Sequence, residues 1–249
     1  MRFRNLQFRP PWWASLVTFA LVALLCWLGF WQLDRAAQKR SLGALYAERA
    51  ALPPVVLNRA QGPRTREEAM AWRRVEATGS YDGAFQILLD NQVVAGIAGY
   101  FVFTPFRFEG EDAWVLVNRG WVPAGLDRQV VPEVVLLDSD VDIRIRGIAK
   151  PAPKTGLILG EPMLEALAPG TYRAPLIDRV WLSDQMGRDL LPYVVRLDPA
   201  MADGFLREWR VPGTGEARHL GYAFQWFALA VTLFLIYVFV NLKRARPTP

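Results

Sequence analysis

The chain has 249 residues, 52% of them hydrophobic and 12% aromatic, with 29 Lys and Arg against 24 Asp and Glu. That composition is too apolar for a disordered chain or a nucleic-acid-binding tail, and the length admits one or two domains. A single cysteine, Cys26, excludes an internal disulfide framework, and with only one histidine in the chain a Cys/His zinc site is excluded too.

The net charge of +5 sits at the two ends. Residues 1–33 hold Arg2, Arg4 and Arg9 and no acid, residues 220–249 hold Lys243, Arg244 and Arg246 and no acid, and the stretch between holds 23 basic and all 24 acidic groups. Such a distribution marks a membrane topology rather than a nucleic-acid footprint. Residues 1–9 read as a short basic tail. Residues 10–33 carry no charge and are long enough for a first span. A cleaved signal peptide is the competing reading. It is disfavoured by the length of the apolar run and by the bulky Trp31-Gln32-Leu33 at its end, where a cleavage site needs small residues. Trp12, Trp13, Trp27 and Trp31 place indoles near both bilayer faces.

Residues 34–218 form one extracytoplasmic β-rich domain. Arg35 to Leu52 reads as a helix continuing out of the membrane until Pro53-Pro54 stops it. Strands are expected at Arg73–Thr78, Phe85–Leu89, Gly99–Thr104, Trp114–Asn118, Val141–Arg146, Pro192–Leu197 and Leu206–Val211, from β-rich or alternating runs bounded by turn residues. Pro151 to Pro175, with five prolines, reads as an irregular excursion. A short helix follows at Asp178–Met186, with Asp178 as its N-cap. Residues 219–242 form the second span, and 243–249 a second basic tail. The fold class is therefore a membrane protein of α+β type, with two transmembrane helices flanking a mostly antiparallel small barrel or sandwich. The positive-inside rule puts both tails in the cytoplasm of a bacterium and the domain in the periplasm, anchored in the plasma membrane.

No standard active site is present: there is no GxSxG elbow, no phosphate-cradling loop and no dinucleotide fingerprint. The carboxylate pairs Glu67-Glu68, Glu111-Asp112 and Asp138/Asp140 lie in polar stretches and read as solvated charge. The protein is expected not to be an enzyme. His219, which opens the second span, is the informative residue. One reading makes it an interfacial polar residue bonded to lipid or backbone. Another uses helical spacing, by which His219, Tyr222, Ala223 and Trp226 share one face. Neutral imidazole is a good axial ligand for haem iron, and aromatic rings suit a flat macrocycle. Trp27 and Trp31 lie at the same depth on the first span, and Arg35 one turn further out either pairs with a propionate or simply marks the helix end.

Three stretches resemble the surfeit locus protein 1 family of cytochrome c oxidase assembly factors. They are Gly29-Phe-Trp-Gln-Leu-Asp-Arg35 with Lys39, Val117-Asn-Arg-Gly-Trp-Val-Pro123, and His219-Leu-Gly-Tyr-Ala-Phe-Gln-Trp-Phe-Ala228. The resemblance implies a role in supplying haem a to the large catalytic subunit of the nascent oxidase, with His219 as a haem-iron ligand and Trp226 beside it. Trp31, Tyr222 and Arg35 complete the expected haem-binding set. Membrane lipid and the haem a synthesis machinery are expected partners, and nucleic acid is not. Arg218, Gly221 and Gln225 depart from the family's commoner residues beside the ligand. The alternative is a structural chaperone of the oxidase subunit that never holds haem. A tethered periplasmic sensor is a third reading, and the lack of a cytoplasmic signalling domain counts against it. Asn118-Arg119-Gly120-Trp121 reads as a strand ending in a tight turn, with direct partner contact as the second reading.

Overall fold

The computed structural model describes residues 6–57, 67–110, 112–125, 132, 134, 142–153, 163–202 and 205–244. The sequence expectations touching Val141, Glu111, Asp138, Asp140 and residues 154–162 lie outside them. In chain order the elements are β1 (Leu6–Phe8), α1 (Trp12–Ala51), β2 (Val55–Val56), α2 (Glu67–Met70), β3 (Arg74–Tyr81), β4 (Gln86–Val94), β5 (Ile97–Phe108) and β6 (Trp114–Pro123). They continue with β7 (Ile143–Lys150), β8 (Glu165–Ala168), β9 (Thr171–Ala174), α3 (Arg179–Met186), β10 (Leu190–Leu197), α4 (Glu216–Asn241) and β11 (Leu242–Arg244). Two compact units result: residues 1–46 with 210–249, and residues 47–209.

In the first unit, α1 and α4 are both long and apolar enough to cross a membrane. On α1 the positions turned inward are Thr18, Val22, Leu25, Gly29, Gln32 and Ala36; on α4 they are Glu216, His219, Ala223, Trp226, Ala230, Leu233 and Tyr237. Both series advance by alternating threes and fours, the repeat of a left-handed antiparallel helix pair. Small residues let the backbones approach, since a Cβ added to Gly29 would stand 2.6 Å from the Phe227 ring. At the end near the tails, Ser15 Oγ and Tyr237 Oη share a hydrogen bond of 2.6 Å. There β1 and β11 pair antiparallel, so the two tails meet in a small ribbon.

The second unit is a barrel. Strands run β3-β7-β10-β6-β5, and β5 pairs back onto β3 to close the ring. Closure leaves no free edge among these five strands. Tyr81, Phe106, Val115, Val117, Ile145, Tyr193 and Val195 fill the core. Outside the ring, β4 continues the sheet from β5 to β9 and β8. There α3 seals a second cluster with Leu182, and its N-cap Asp178 accepts from the Trp181 backbone N–H at 2.9 Å, as expected.

The register links Arg74, Ile148, Arg196, Asn118 and Phe103 around the barrel at one height. From that level, β3, β4, β6 and β10 run one way along the barrel, whereas β5 and β7 run the other. The chain therefore enters at the start of β3 and leaves β10 toward the opposite end of the barrel. From that end the β4–β5 hairpin projects.

Three expectations are corrected. Pro151 to Pro175 is not wholly irregular, because β8 and β9 form a hairpin within it, around Pro169-Gly170. Leu206–Val211 is not a strand: it makes only one bridge, Leu206 to Trp121, and Trp209 turns its indole N–H to the Leu197 carbonyl at 2.8 Å. Asn118–Trp121 is not a terminal turn but lies inside β6. There Arg119, 2% exposed, sits between the rings of Tyr81 at 5.4 Å and Phe205 at 4.9 Å. Gly120, with φ +130°, admits the chain at Phe205, where a Cβ would meet that residue's Cβ at 2.7 Å.

Half-buried Lys150 at the end of β7 has its pKa held down to about 8, first by loss of hydration and then by Arg196. The unfolded chain therefore binds this proton more tightly than the folded one. Its charge costs stability below about pH 8, and the cost fades as pH rises toward the free lysine's 10.5. Lys150→Met is expected to raise stability at neutral pH by about 1–3 kcal/mol, and to gain nothing near pH 10.5, measured by chemical denaturation across pH.

Candidate functional site at the helix pair

His219 lies in the first turn of α4, half-buried against α1. Its Nδ1 stands 2.8 Å from Oε1 of Gln32, a side chain only 9% exposed. A carbonyl oxygen can only accept, so the proton of the neutral ring sits on Nδ1, which donates it to Gln32. In the neutral tautomer that makes this bond, Nε2 carries a lone pair able to accept a hydrogen bond or ligate a metal. An acceptor on the far ring nitrogen also orients the imidazole and raises the basicity of the other nitrogen. One turn further out, Arg40 donates from Nε to Glu216 at 2.8 Å and ties the helices again.

The surroundings of His219 follow from the helical repeat. Phe30 and Phe227, with ring centroids 5.2 Å apart, mark one flank of the seam. At about 100° per residue, Trp31 and Arg35 on α1 and Tyr222 on α4 fall on the opposite flank. His219, Gln32 and Trp226 occupy the seam positions adjoining that flank. With Gln32 level with His219 and Gly29 level with Phe227, Arg35 stands at the height of His219 and Trp31 at that of Tyr222. The five residues singled out in the sequence thus share one side of the helix pair. Ala223, 2% exposed, is the packing residue of the stripe, whereas Tyr222 and Trp31 present large exposed rings. Arg35 lies over the Trp31 ring at 5.7 Å and donates to Gln38 at 2.9 Å. Trp27 belongs on the outer face of α1, away from the seam, and is 63% exposed.

Sequence reasoning passed over Gln32 as a site residue. A polar amide at a step of three from Gly29 and four from Ala36, in a mostly apolar seam, was the available signal.

Fold and site define a class: a membrane protein whose two apolar helices pair closely, bracket a small β-barrel in sequence, and hold one imidazole oriented by an amide. The chain belongs to the SURF1 family, whose model matches residues 19–231. It is similar to a SURF1-like protein of Rickettsia bellii, with 26% identity over 235 residues covering 89% of this chain and 87% of the relative. It is also similar to Surfeit locus protein 1 of Arabidopsis thaliana, 31% identical across 45% of this chain and 34% of the relative. A third relative is the cytochrome oxidase assembly protein SHY1 of Saccharomyces cerevisiae, 26% identical across 55% of this chain and 36% of the relative.

Proposed function

We propose that this chain is a non-enzymatic assembly factor for cytochrome c oxidase. It holds haem a on the side of the helix pair formed by His219, Trp226, Tyr222, Trp31 and Arg35, and assists delivery to the nascent large catalytic subunit. Family membership and the name of the yeast relative support the assembly role. The haem role rests on one observation, the hydrogen bond between His219 Nδ1 and Gln32, which in the neutral ring leaves Nε2 free to ligate. Among the described residues no three metal-ligating groups converge. A lone imidazole suits a metal that brings its own equatorial ligands, and a haem does.

His219 would supply a nitrogen ligand, Trp226 and Tyr222 the faces for a flat ring, Trp31 an apolar wall, and Arg35 a cation for a propionate. Bound haem supplies the redox-active iron that the oxidase needs. The protein's part is to keep a farnesylated macrocycle out of water and to release it, and a single ligand on an open helix flank suits release. We place residues 10–33 and 219–242 in the plasma membrane of a bacterium, with both tails cytoplasmic and residues 34–218 periplasmic. The pairing of β1 with β11 supports tails on one side.

The test is the visible spectrum of protein purified in detergent after coexpression with the enzymes of haem a synthesis. Wild type is expected to carry a-type bands and His219→Ala to lose them. A wild type without these bands, or a variant with equal bands, removes the carrier role and leaves a chaperone that contacts the oxidase subunit without haem.

A further inference from the structure

The end of the barrel toward which β10 runs also carries the tip of the β4–β5 hairpin, and this hairpin is chemically unlike the rest of the surface. No charged residue occurs from Asn91 to Phe106. At its tip Val93 pairs with Ala98, and Val94 with Ile97. Opposed residues share a face and successive pairs alternate, so both faces of the tip are apolar. A hairpin standing in water normally keeps one face polar. Val93 is 61% and Ile97 57% exposed, although both are β-branched hydrophobes.

The turn makes the same point. Ala95 and Gly96 have φ of 50° and 83°, the two positive values of a two-residue type I′ turn. Asn or Asp is the residue that best tolerates the first of these positions. Alanine accepts backbone strain there, and in exchange the tip is free of polar side chains. Below the tip the hairpin is firmly held. The Trp121 indole packs on Gly99, where a Cβ would lie 2.5 Å from its ring, and donates to the Gln92 carbonyl at 3.1 Å.

We infer that residues Val93–Ala98 enter the interfacial layer of the phospholipid bilayer, as a second, monotopic membrane contact of the barrel. The inference rests on α1 and α4 crossing that bilayer, and is independent of haem. The connection to α4 leaves the barrel at the hairpin's end, where Leu206 bridges Trp121. On the exit side only six residues separate Trp209 from Glu216. An apolar, uncharged wedge of this size suits the boundary between headgroups and acyl chains.

The experiment uses the full chain in phosphatidylcholine nanodiscs, with Cys26→Ser to remove the native thiol. Nitroxide labels are placed singly through Val93→Cys, Ile97→Cys and, at the opposite end of the barrel, Glu109→Cys. Collisions with oxygen, which concentrates in lipid, and with a water-soluble nickel chelate report the environment of each label. Labels at 93 and 97 are expected to favour oxygen, and the label at 109 the chelate. Labels at 93 and 97 that resemble 109 would put the tip in water, and labels shielded from both reagents would put it against protein. Either result overturns the inference.

Discussion

Gly29→Val is expected to strip the protein of haem as fully as His219→Ala does, although Gly29 has no side chain to offer a ligand. Its hydrogen atom faces the Phe227 ring, and a Cβ would stand 2.6 Å from that ring's tip. A single methyl is tolerated because Phe227 can swing away from it, so Gly29→Ala should keep a substantial share of the haem. The branched valine cannot be cleared by one rotation, because Phe30 already packs on the same ring at 5.2 Å. The helices must then move apart by roughly 1 Å or more, within the 8–10 Å range that side-chain size allows for packed helices. One turn further along, the 2.8 Å contact between His219 and Gln32 stretches past the limit of a useful hydrogen bond. The imidazole loses its orientation while remaining in place chemically. Haem content per protein across the Gly, Ala and Val series checks this. Full loading of Gly29→Val would show that close helix packing is not what prepares His219.

The parts of this architecture that were legible in the sequence are those where one physical signal dominates. Uncharged runs announce long apolar helices, because a charge at the bilayer centre is costly, and α1 and α4 are both long and apolar enough to cross a membrane. Strands β3, β5, β6, β7 and β10 were visible because their neighbours are turn residues. A small barrel was one of the two architectures expected, but the pairing that closes it rather than leaving a sandwich was not visible. The contact of Gly79–Tyr81 with Phe106–Phe108 depends on how far the sheet coils, which alternation does not encode. The β8–β9 hairpin was obscured by its prolines, and Leu206–Val211 was mistaken because Trp209 leaves its strand-like pattern to cap the end of β10. At the site, Gly29-Phe-Trp-Gln-Leu-Asp-Arg35 looks like one motif on paper. A helix divides it, with Gly29 and Gln32 in the seam and Trp31 and Arg35 on the flank. Reading it by steps of three and four separates the residues that hold His219 from those that stand beside it.

Gln32 Oε1 stands 2.8 Å from Nδ1 of His219, and two substitutions at this position are expected to have opposite effects. Gln32→Leu keeps the seam filled with a side chain of similar size but removes the acceptor for Nδ1–H. The ring is then free to move its proton to Nε2, the nitrogen that ligation requires to be bare, and to rotate. A lost second-shell partner of a metal-ligating histidine typically costs about 10–100-fold in affinity, and haem retention should fall by that order. Gln32→Glu restores the acceptor as an anion, holds the proton on Nδ1 more firmly and makes Nε2 more basic. It is expected to retain haem and to lower the midpoint potential of the iron, because a stronger donor favours the ferric state. The chain has only one histidine, so ¹⁵N-histidine labelling gives the spectrum of a single imidazole without any haem present. Wild type and Gln32→Glu should show a protonated Nδ1 with a bare Nε2, and Gln32→Leu a population shifted toward the other tautomer. An unchanged tautomer in Gln32→Leu would mean that the hydrogen bond only clamps the two helices together. A shifted tautomer with unchanged haem loading would instead separate His219 from haem ligation altogether.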